Sequence, residues 1–383
     1  MKIMHLMLAC FYIDNYSYQE NLLPKYHKLQ GHDVEIIASL FTFDENGKGK
    51  WLKEGKKYIN ENGIPVTRLE FAQSKISNKI RRYKGLMAEL LRFNPDVIFI
   101  HGVQFCDIDI VVKYLKNHKD TKVFVDNHSD FGNSGKNWIS KNIQHKMLWR
   151  SSAKKIEPYT EKFYGVLPAR VDFLCDIYKT PKNKTELLVM GADDNAILEA
   201  EKENARDKIR EKFGIGQDDI LLMSAGKIDS NKPQVLSLMK AVSEIADDKI
   251  KLLIFGTVVP ELKEEFDSLV DGKKIVFGGW MPTADTYRNF SAADLLIFPG
   301  LHSVYWEQAV GFGVPCLFRK LDGFTHIDCG GNCKFITEAS KDGIKKSVEE
   351  IIENPKILEE MKKSADNCKD KFRYSVIAKD SIG

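Results

Sequence analysis

The segment from Phe298 to Pro315 has the residue types of an anion-binding junction between a strand and a helix. An apolar run ends at Pro299, a tight loop follows, and Ser303 is placed to cap a helix that carries Glu307 near its first turn. The N-terminus of such a helix presents free N–H groups and a positive dipole end, which suits a diphosphate.

Glu307 would then lie beside that anion, where its carboxylate can accept hydrogen bonds from the hydroxyls of a ribose. The alternative is a carboxylate that only stabilises the start of its helix. The candidate donor-contacting residues of this segment are His302, Ser303, Val304, Tyr305 and Glu307.

A second candidate site runs from Ala225 to Pro233, after an apolar run and before a helical pattern. Gly226 would let the backbone approach a ligand closely. Lys227 and Lys232 could both reach one diphosphate through charge-assisted hydrogen bonds. The alternative is a pair of solvated lysines.

The first half of the chain offers weaker candidates. His128 follows a strand as part of Asp126-Asn127-His128, and it could hydrogen-bond a sugar hydroxyl or orient an acceptor. His101 follows another strand, and either histidine could instead be structural. Asp193 has two readings: a residue of the ligand cleft, or a cap for the next helix.

Two other patterns are interpreted as structural. Asp107 and Asp109 resemble an Asp-x-Asp metal motif, but they read as acidic residues opening a helix. Cys329 and Cys333 lack the further pair that a zinc site needs. No metal and no cofactor are therefore expected. The absence of Gly-x-Gly-x-x-Gly after the first strand argues against a dinucleotide oxidoreductase.

The elements that would position these residues alternate between strand and helix. Apolar runs predict strands, and the stretches 78–92 and 196–213 predict one helix each. The predicted strands are Ile3–Cys10, Val34–Ala38, Val97–Ile100, Lys122–Val125, Glu186–Met190, Ile220–Ser224, Lys251–Phe255, Lys274–Phe277 and Leu295–Phe298. This order is typical of doubly wound α/β folds with parallel sheets.

Two such series in 383 residues predict two Rossmann-like domains facing across a cleft. The predicted boundaries are 1–195 for an acceptor-side domain, 196–370 for a donor domain, and 371–383 for a segment that packs back on the first domain. The hinge is expected within 194–218.

Composition sets the expected surroundings. The net charge of +3 demands no nucleic-acid partner. No run of about 18 apolar residues is present, and the seven scattered cysteines indicate reduced thiols, so a cytoplasmic protein is expected. Two basic segments, 75–84 and 136–155, contain no acidic residue. They predict either docking to an anionic membrane surface or solvated helical faces.

The residues described above resemble family 4 of the glycosyltransferases, which are retaining enzymes of GT-B fold. The resemblance rests on Glu307 with its surroundings, Gly226 with the two lysines, the stretches 191–193 and 31–34, and it is clearest over about 186–328. It implies that Lys227 and Lys232 bind the donor diphosphate, that Glu307 contacts the donor ribose, and that His128 is the family's N-terminal cleft histidine.

The sequence also departs from that family. Lys227 stands where Arg is usual, and Pro299 stands where the family's Glu-x7-Glu motif has its first Glu. His302 could replace some of the lost contacts. The glycine pair after the first strand is missing as well.

The resemblance implies transfer of a sugar from a nucleotide-diphosphate-sugar, used as a substrate, to a glycan, lipid-linked or protein acceptor. Retention of configuration and a place in cell-surface polysaccharide or glycoconjugate synthesis are further expectations. Two alternatives stay open: an inactive GT-B partner subunit, which the missing first Glu favours, and a nucleotide-sugar epimerase.

Overall fold

The chain forms two compact units in a computed structural model. Unit 1 comprises Met1–Val189 with Ile377–Gly383, and unit 2 comprises Met190–Val376. The structure describes residues 1–44, 48–72, 77–132, 134, 140–230 and 233–383. Both units are α/β, which confirms the predicted fold class.

Unit 1 contains an eight-stranded sheet with the strand order β10-β9-β8-β7-β1-β2-β6-β5 within the described residues. All neighbours are parallel except β5 and β6. Its strands are β1 (Lys2–Met7), β2 (Asp33–Ala38), β3 (Phe41–Phe43), β4 (Gly49–Trp51), β5 (Lys56–Ile59), β6 (Pro65–Arg68), β7 (Val97–His101), β8 (Lys122–Asn127), β9 (Thr160–Gly165) and β10 (Thr185–Leu187). β3 and β4 form a separate antiparallel pair.

Helices cover this sheet because its central strands are apolar along their whole length, as in parallel sheets buried on both faces. All five residues of β7 are buried. The helices are α1 (Gln19–Leu29), α2 (Ser77–Ile80), α3 (Leu86–Phe93), α4 (Ile108–Leu115), α5 (Arg150–Ile156) and α6 (Pro168–Phe173), with π-helical stretches at Ser140–Trp149 and Leu174–Tyr178.

Unit 2 contains a six-stranded, fully parallel sheet with the order β13-β12-β11-β14-β15-β16 within the described residues. Its strands are β11 (Ile220–Ala225), β12 (Ile250–Phe255), β13 (Ile275–Gly279), β14 (Leu295–Phe298), β15 (Cys316–Arg319) and β16 (Cys333–Ile336). Its helices are α7 (Asp194–Lys202), α8 (Ala205–Lys212), α9 (Gln234–Ser243), α10 (Pro260–Leu269), α11 (Thr286–Ala292), α12 (Tyr305–Phe312), α13 (Lys341–Ile352) and α14 (Pro355–Cys368). The last helix, α15 (Tyr374–Asp380), leads into the final segment of unit 1.

Two predicted helices are wrong in their continuity. The helix expected over 78–92 is divided into α2 and α3, because Arg81 (φ 55°) and Gly85 (φ 83°) have left-handed backbone. The helix expected over 196–213 is divided into α7 and α8 at Asn204, which has φ 50°.

Several strand predictions also change. β1 ends at Met7 rather than Cys10, and β10 ends at Leu187 rather than Met190. The strands β5, β6, β9, β15 and β16 were not predicted. Among the described residues no helix is long and apolar enough to cross a membrane, and the seven cysteines are free.

Candidate functional site

The carboxyl ends of the central strands of unit 2 are built from glycine. Gly226 follows β11 with φ 141°, and Gly256 follows β12 with φ 147°. The amide of Gly256 donates to the carbonyl of Gly279 at 2.8 Å. A Cβ atom on Gly256 would lie 1.8 Å from the carbonyl oxygen of Gly226, so only glycine fits there. Bare backbone is thus exposed where open parallel sheets bind ligands.

Two adjoining pockets lie against these glycines. Gly226 and Lys227 line both of them, and the second pocket has a volume of about 450 Å³. The first pocket adds Pro299, Gly300 and Ser303, and the second adds Thr257, Trp280 and Tyr305. The structure therefore brings together four of the predicted residues, which are Gly226, Lys227, Ser303 and Tyr305.

The side chain of Lys227 is 63% exposed, and its Nζ lies 3.3 Å from Oδ2 of Asp229. A surface ion pair of this kind is weak and exchanges readily for a better partner. Lys232, the second predicted phosphate ligand, lies outside the described residues. Its role stays a prediction.

Helix α12 begins beside the first pocket, but not in the predicted way. Val304 is the N-cap residue, and no side chain caps the helix. The prediction that Ser303 is the cap is therefore wrong; its carbonyl accepts from the amide of Trp306 at 3.0 Å. The turn at residues 303–306 places the cap one residue later than the sequence pattern indicated.

Glu307 lies on α12 and is fully buried. Its Oε1 accepts from Nε2 of His302 at 2.8 Å and from Nε2 of His326 at 2.9 Å. Burial alone would raise the pKa of this carboxyl group, but the two histidines outweigh it and lower the pKa to about 2. Oε2 is buried with no hydrogen-bond partner in the described part of the chain.

The contact with His302 supports the idea that this histidine makes up for part of the altered family motif. His326 was missed, because it lies 19 residues after Glu307 on a loop and no spacing rule links the two. Contact between Glu307 and a ribose stays a prediction.

Asp193 caps a helix. Its side chain accepts from the amide of Asn195 at 3.2 Å at the start of α7, and its own amide donates to Oη of Tyr287 at 2.8 Å. Of the two readings that the sequence left open, capping is the one with a contact here.

In unit 1, His128 and His101 come together at the ends of the neighbouring strands β8 and β7. Nε2 of His128 lies 3.5 Å from Oδ2 of Asp126 and 3.9 Å from Oε1 of Glu20. Burial would lower the pKa of His128, but the two carboxylates raise it overall. His128 lines a pocket of about 1120 Å³ together with His101, Gln104 and Arg81.

One group among the described residues could hold a metal ion by proximity: His101, Asp126 and His128, whose ligand atoms lie within 4.8 Å of one another. However, Nδ1 of His101 lies only 2.8 Å from Oδ2 of Asp126. Two ligands of a tetrahedral zinc ion at about 2.0–2.1 Å would be roughly 3.3 Å apart. The short contact is typical of an ion pair instead.

The Asp-x-Asp pattern is occupied by ion pairs. Asp107 accepts from the amide of Tyr83 at 2.6 Å and from Arg82, and Asp109 pairs with Arg82 and Lys155. These contacts account for both carboxylates, in agreement with the structural interpretation.

Comparisons with known proteins agree with this geometry. Residues 205–367 match the model of the family described as glycosyl transferases group 1. Mannosylfructose-phosphate synthase of Agrobacterium fabrum is 23% identical over 218 residues, which is 53% of this chain; the match spans 46% of that relative, slightly under half its length.

Two solved structures share the fold over almost the whole chain. HepE of Anabaena in complex with UDP has a TM-score of 0.67 at 14% identity, covering 99% of this chain and 98% of that one. The UDP-GlcNAc 2-epimerase of Neisseria meningitidis bound to UDP-GlcNAc has a TM-score of 0.62 at 14% identity, with the same coverage. The chain thus has the GT-B fold, and residues 205–367, most of unit 2, belong to the glycosyl transferases group 1 family, as the resemblance predicted.

Proposed function

We propose that this protein transfers a sugar from a nucleotide-diphosphate-sugar to an acceptor, with retention of configuration. The observation that carries the proposal is the pair of pockets in unit 2, where Gly226 and Gly256 leave bare backbone beside an exposed Lys227. Such a site suits a diphosphate, because amide groups and an ammonium can both reach the anion. UDP and UDP-sugars in two proteins of the same fold support this choice of ligand.

Each residue has a defined task in the proposed reaction. Lys227 and Lys232 hold the diphosphate, and the start of α12 adds its positive dipole end. Glu307, ionised because two histidines hydrogen-bond it, accepts from a ribose hydroxyl through its unpartnered Oε2. His128 in unit 1 contacts a sugar hydroxyl or the acceptor.

In the chemical step the bond from the anomeric carbon to the diphosphate oxygen breaks, and the acceptor oxygen bonds to that carbon on the same face. The departing diphosphate takes the proton of the acceptor. Lys227 and Lys232 stabilise the charge that develops on the leaving group. The acceptor is a glycan, a lipid-linked sugar or a protein, in the synthesis of a cell-surface polysaccharide or glycoconjugate.

Two other activities fit the same fold. A nucleotide-sugar epimerase is the stronger one, because an enzyme of that class is among the structures of the same fold. An inactive partner subunit would explain Pro299 in place of the first Glu of the family motif. Both predict different behaviour toward a nucleotide sugar alone.

The test begins with a thermal-shift screen of nucleotide sugars on the full chain, and the best ligand is then followed by NMR with and without candidate acceptors. A transferase should release the nucleoside diphosphate faster when acceptor is added. Conversion to a second nucleotide sugar without acceptor would identify an epimerase, and binding without turnover in any mixture would identify a non-enzyme.

Lys227→Ala gives a residue-level test by calorimetry. The loss of one charge-assisted contact should weaken binding of the nucleoside diphosphate by about 1.5–3 kcal/mol, or about 10- to 150-fold. Lys263→Ala is the matched control, since Lys263 is also exposed and paired, with Asp267, but lies on α10 outside both pockets. Equal affinity in wild type and Lys227→Ala would contradict the proposed phosphate site.

A further inference from the structure

Three histidines form a continuous buried chain in unit 1. His5, His27 and His101 each have no exposed surface. Nε2 of His27 lies 2.9 Å from the carbonyl oxygen of Ala378, and its Nδ1 lies 3.0 Å from Nε2 of His5. Nδ1 of His5 lies 2.9 Å from Nε2 of His101. Both nitrogens of the first two rings are therefore used.

The chain ends on a carboxylate. Nδ1 of His101 lies 2.8 Å from Oδ2 of Asp126, which is also fully buried. The line between these two atoms departs from the ideal hydrogen-bond direction, so the contact is an ion pair rather than a straight hydrogen bond. Acceptors thus stand at both ends: the carbonyl of Ala378 at one and Asp126 at the other.

The carbonyl at the first end determines the position of every proton. A carbonyl oxygen only accepts, so Nε2 of His27 carries a proton, and the neutral ring then has its lone pair on Nδ1. Nε2 of His5 must therefore donate to His27, which leaves the lone pair of His5 on Nδ1. His101 must in turn donate from Nε2 to His5.

This direction leaves His101 with no free choice at Nδ1. A lone pair there would face the carboxylate oxygen of Asp126 at 2.8 Å, so Nδ1 carries a proton as well. The contacts at Ala378, between the rings and at Asp126 number four, and each needs one proton, so three rings hold four protons. The surplus proton makes one ring a cation.

Two further observations place the positive charge on His101 rather than elsewhere. Burial lowers the pKa of His5 far below its usual range and that of His27 to about 3, which keeps both rings neutral. Oδ2 of Asp126 also accepts from the amide of Gln19 at 3.3 Å, and Oδ1 has no acceptor among the described residues for a proton of its own. Asp126 is therefore ionised.

We propose that the carbonyl of Ala378, His27, His5 and His101 form a one-way hydrogen-bond chain that makes His101 a permanent imidazolium, and that this imidazolium holds Asp126 as the ionised partner of His128. His27, His5 and His101 are thus positioning residues. They act on His128 through Asp126, whose Oδ2 lies 3.5 Å from Nε2 of His128. The role of His128 toward a sugar or acceptor rests on the proposed function, whereas the proton count does not.

The charge state is measured by NMR on the full chain labelled with ¹⁵N-histidine at neutral pH. In an imidazolium both ring nitrogens have similar chemical shifts, whereas in a neutral ring the protonated and unprotonated nitrogens are far apart. We expect the imidazolium pattern for His101, and the neutral pattern with the proton on Nε2 for His5 and His27. A neutral pattern for all three rings would overturn the proposal without any variant.

A pair of variants tests the direction of the chain. In His27→Phe, His5 loses its acceptor and can donate to His101 instead, so His101 should become neutral and the chain should lose one proton. In His27→Gln, the amide can still donate to Ala378 and accept from His5, so the imidazolium pattern should persist. If both variants leave His101 charged, the chain does not fix its proton and the proposal fails.

His118→Phe is the matched control, because His118 contacts the carbonyl of Tyr114 at 2.9 Å and takes no part in the chain. It should leave the signals of His101 unchanged. Zinc is the competing occupant. One equivalent of Zn²⁺ that is bound at neutral pH and shifts the His101 and His128 signals together would identify a metal site and overturn the proposal. Unchanged signals would support it. Because none of these measurements needs a nucleotide sugar, failure of the proposed function would leave their outcome unaffected.

Discussion

The two units end their central strands in opposite ways. In unit 1 the strands β7 and β8 end in buried polar side chains, which are His101, Asp126 and Asn127. In unit 2 the strands β11 and β12 are followed by Gly226 and Gly256, and the neighbouring surface is backbone. The same type of sheet therefore presents fixed side-chain charges in one unit and open amide groups in the other.

This difference suggests a division of labour. An anion with several oxygens is well bound by backbone N–H groups, which need no reorganisation. Hydroxyl groups require donors and acceptors in defined positions, which buried side chains supply when their protons are fixed. Unit 2 is thus suited to a diphosphate, and unit 1 to a neutral, hydroxyl-rich ligand.

The largest expected effect comes from filling the glycine contact of unit 2. In Gly256→Ala the new Cβ would meet the carbonyl of Gly226 at 1.8 Å, at a backbone φ of 147°. Both strands must separate to relieve this contact, so we expect a loss of more than about 4 kcal/mol in the free energy of unfolding. Denaturant titration measures it.

Gly272→Ala is the control, since that residue has φ 68° and nothing within 4 Å of the added atom. Only the backbone strain of about 1–2 kcal/mol should appear there. Equal losses in the two variants would mean that the close approach of Gly226 and Gly256 is not what holds the strand ends together.

The carboxylate of unit 2 should give the next largest effect. Glu307→Gln keeps the shape but removes the charge, and one acceptor becomes a donor. By analogy with the loss of one preorganised polar contact, we expect the transfer rate to fall by about 10- to 1000-fold.

A donor with 2′-deoxyribose forms the second side of a double-mutant cycle, because it already lacks part of the proposed contact. The Glu307→Gln variant should lose less with this donor than with the natural one. Losses that simply add, or full activity of the variant, would exclude Glu307 as the ribose ligand.

How far the sequence predicts these features depends on sequence distance. Continuous apolar runs identified β7 and β14, but β9 was missed because Glu161 and Lys162 interrupt its pattern. The contact of Glu307 with His302 spans five residues and could be anticipated. The contact of His5 with His101 spans 96 residues, and only the parallel pairing of β1 with β7 creates it.

The pH dependence of stability distinguishes Glu307 from exposed carboxylates. Its pKa in the folded protein is about 2 against an ordinary value of 4.5, so its ionised form favours folding above pH 4.5, and this stabilisation is lost as the pH falls toward 2. The full effect is about 3 kcal/mol.

Glu307→Gln should therefore be less stable than wild type at pH 7 in urea titrations, and the difference should shrink below pH 4.5. Glu350→Gln is the control, because Glu350 is 56% exposed in its pair with Lys334. A pH-independent difference for Glu307→Gln would show that the two histidines do not stabilise its charge.

The smallest expected effect concerns the surface of unit 1, which contains both basic segments. Several of their bases are occupied internally: Arg82 pairs with Asp107, Arg81 donates to the carbonyl of Gln104 at 2.8 Å, and Lys155 pairs with Asp109. Trp149 is 7% exposed, so it is not the interfacial tryptophan that membrane docking would use. Residues 75–76 and 136–139 lie outside the described residues. Exposed bases such as Lys154 are what remains for an anionic surface.

We therefore expect only weak, salt-sensitive sedimentation with vesicles that contain anionic lipid. Lys154→Gln should reduce it by about fivefold, since one lysine near such a surface contributes about 1 kcal/mol. Arg82→Gln should leave vesicle binding unchanged but lower the free energy of unfolding, because its charge is used within the fold. Equal binding of the wild type to neutral and anionic vesicles would show that the basic segments are solvated faces, and the contrast between the units would then be confined to their strand ends.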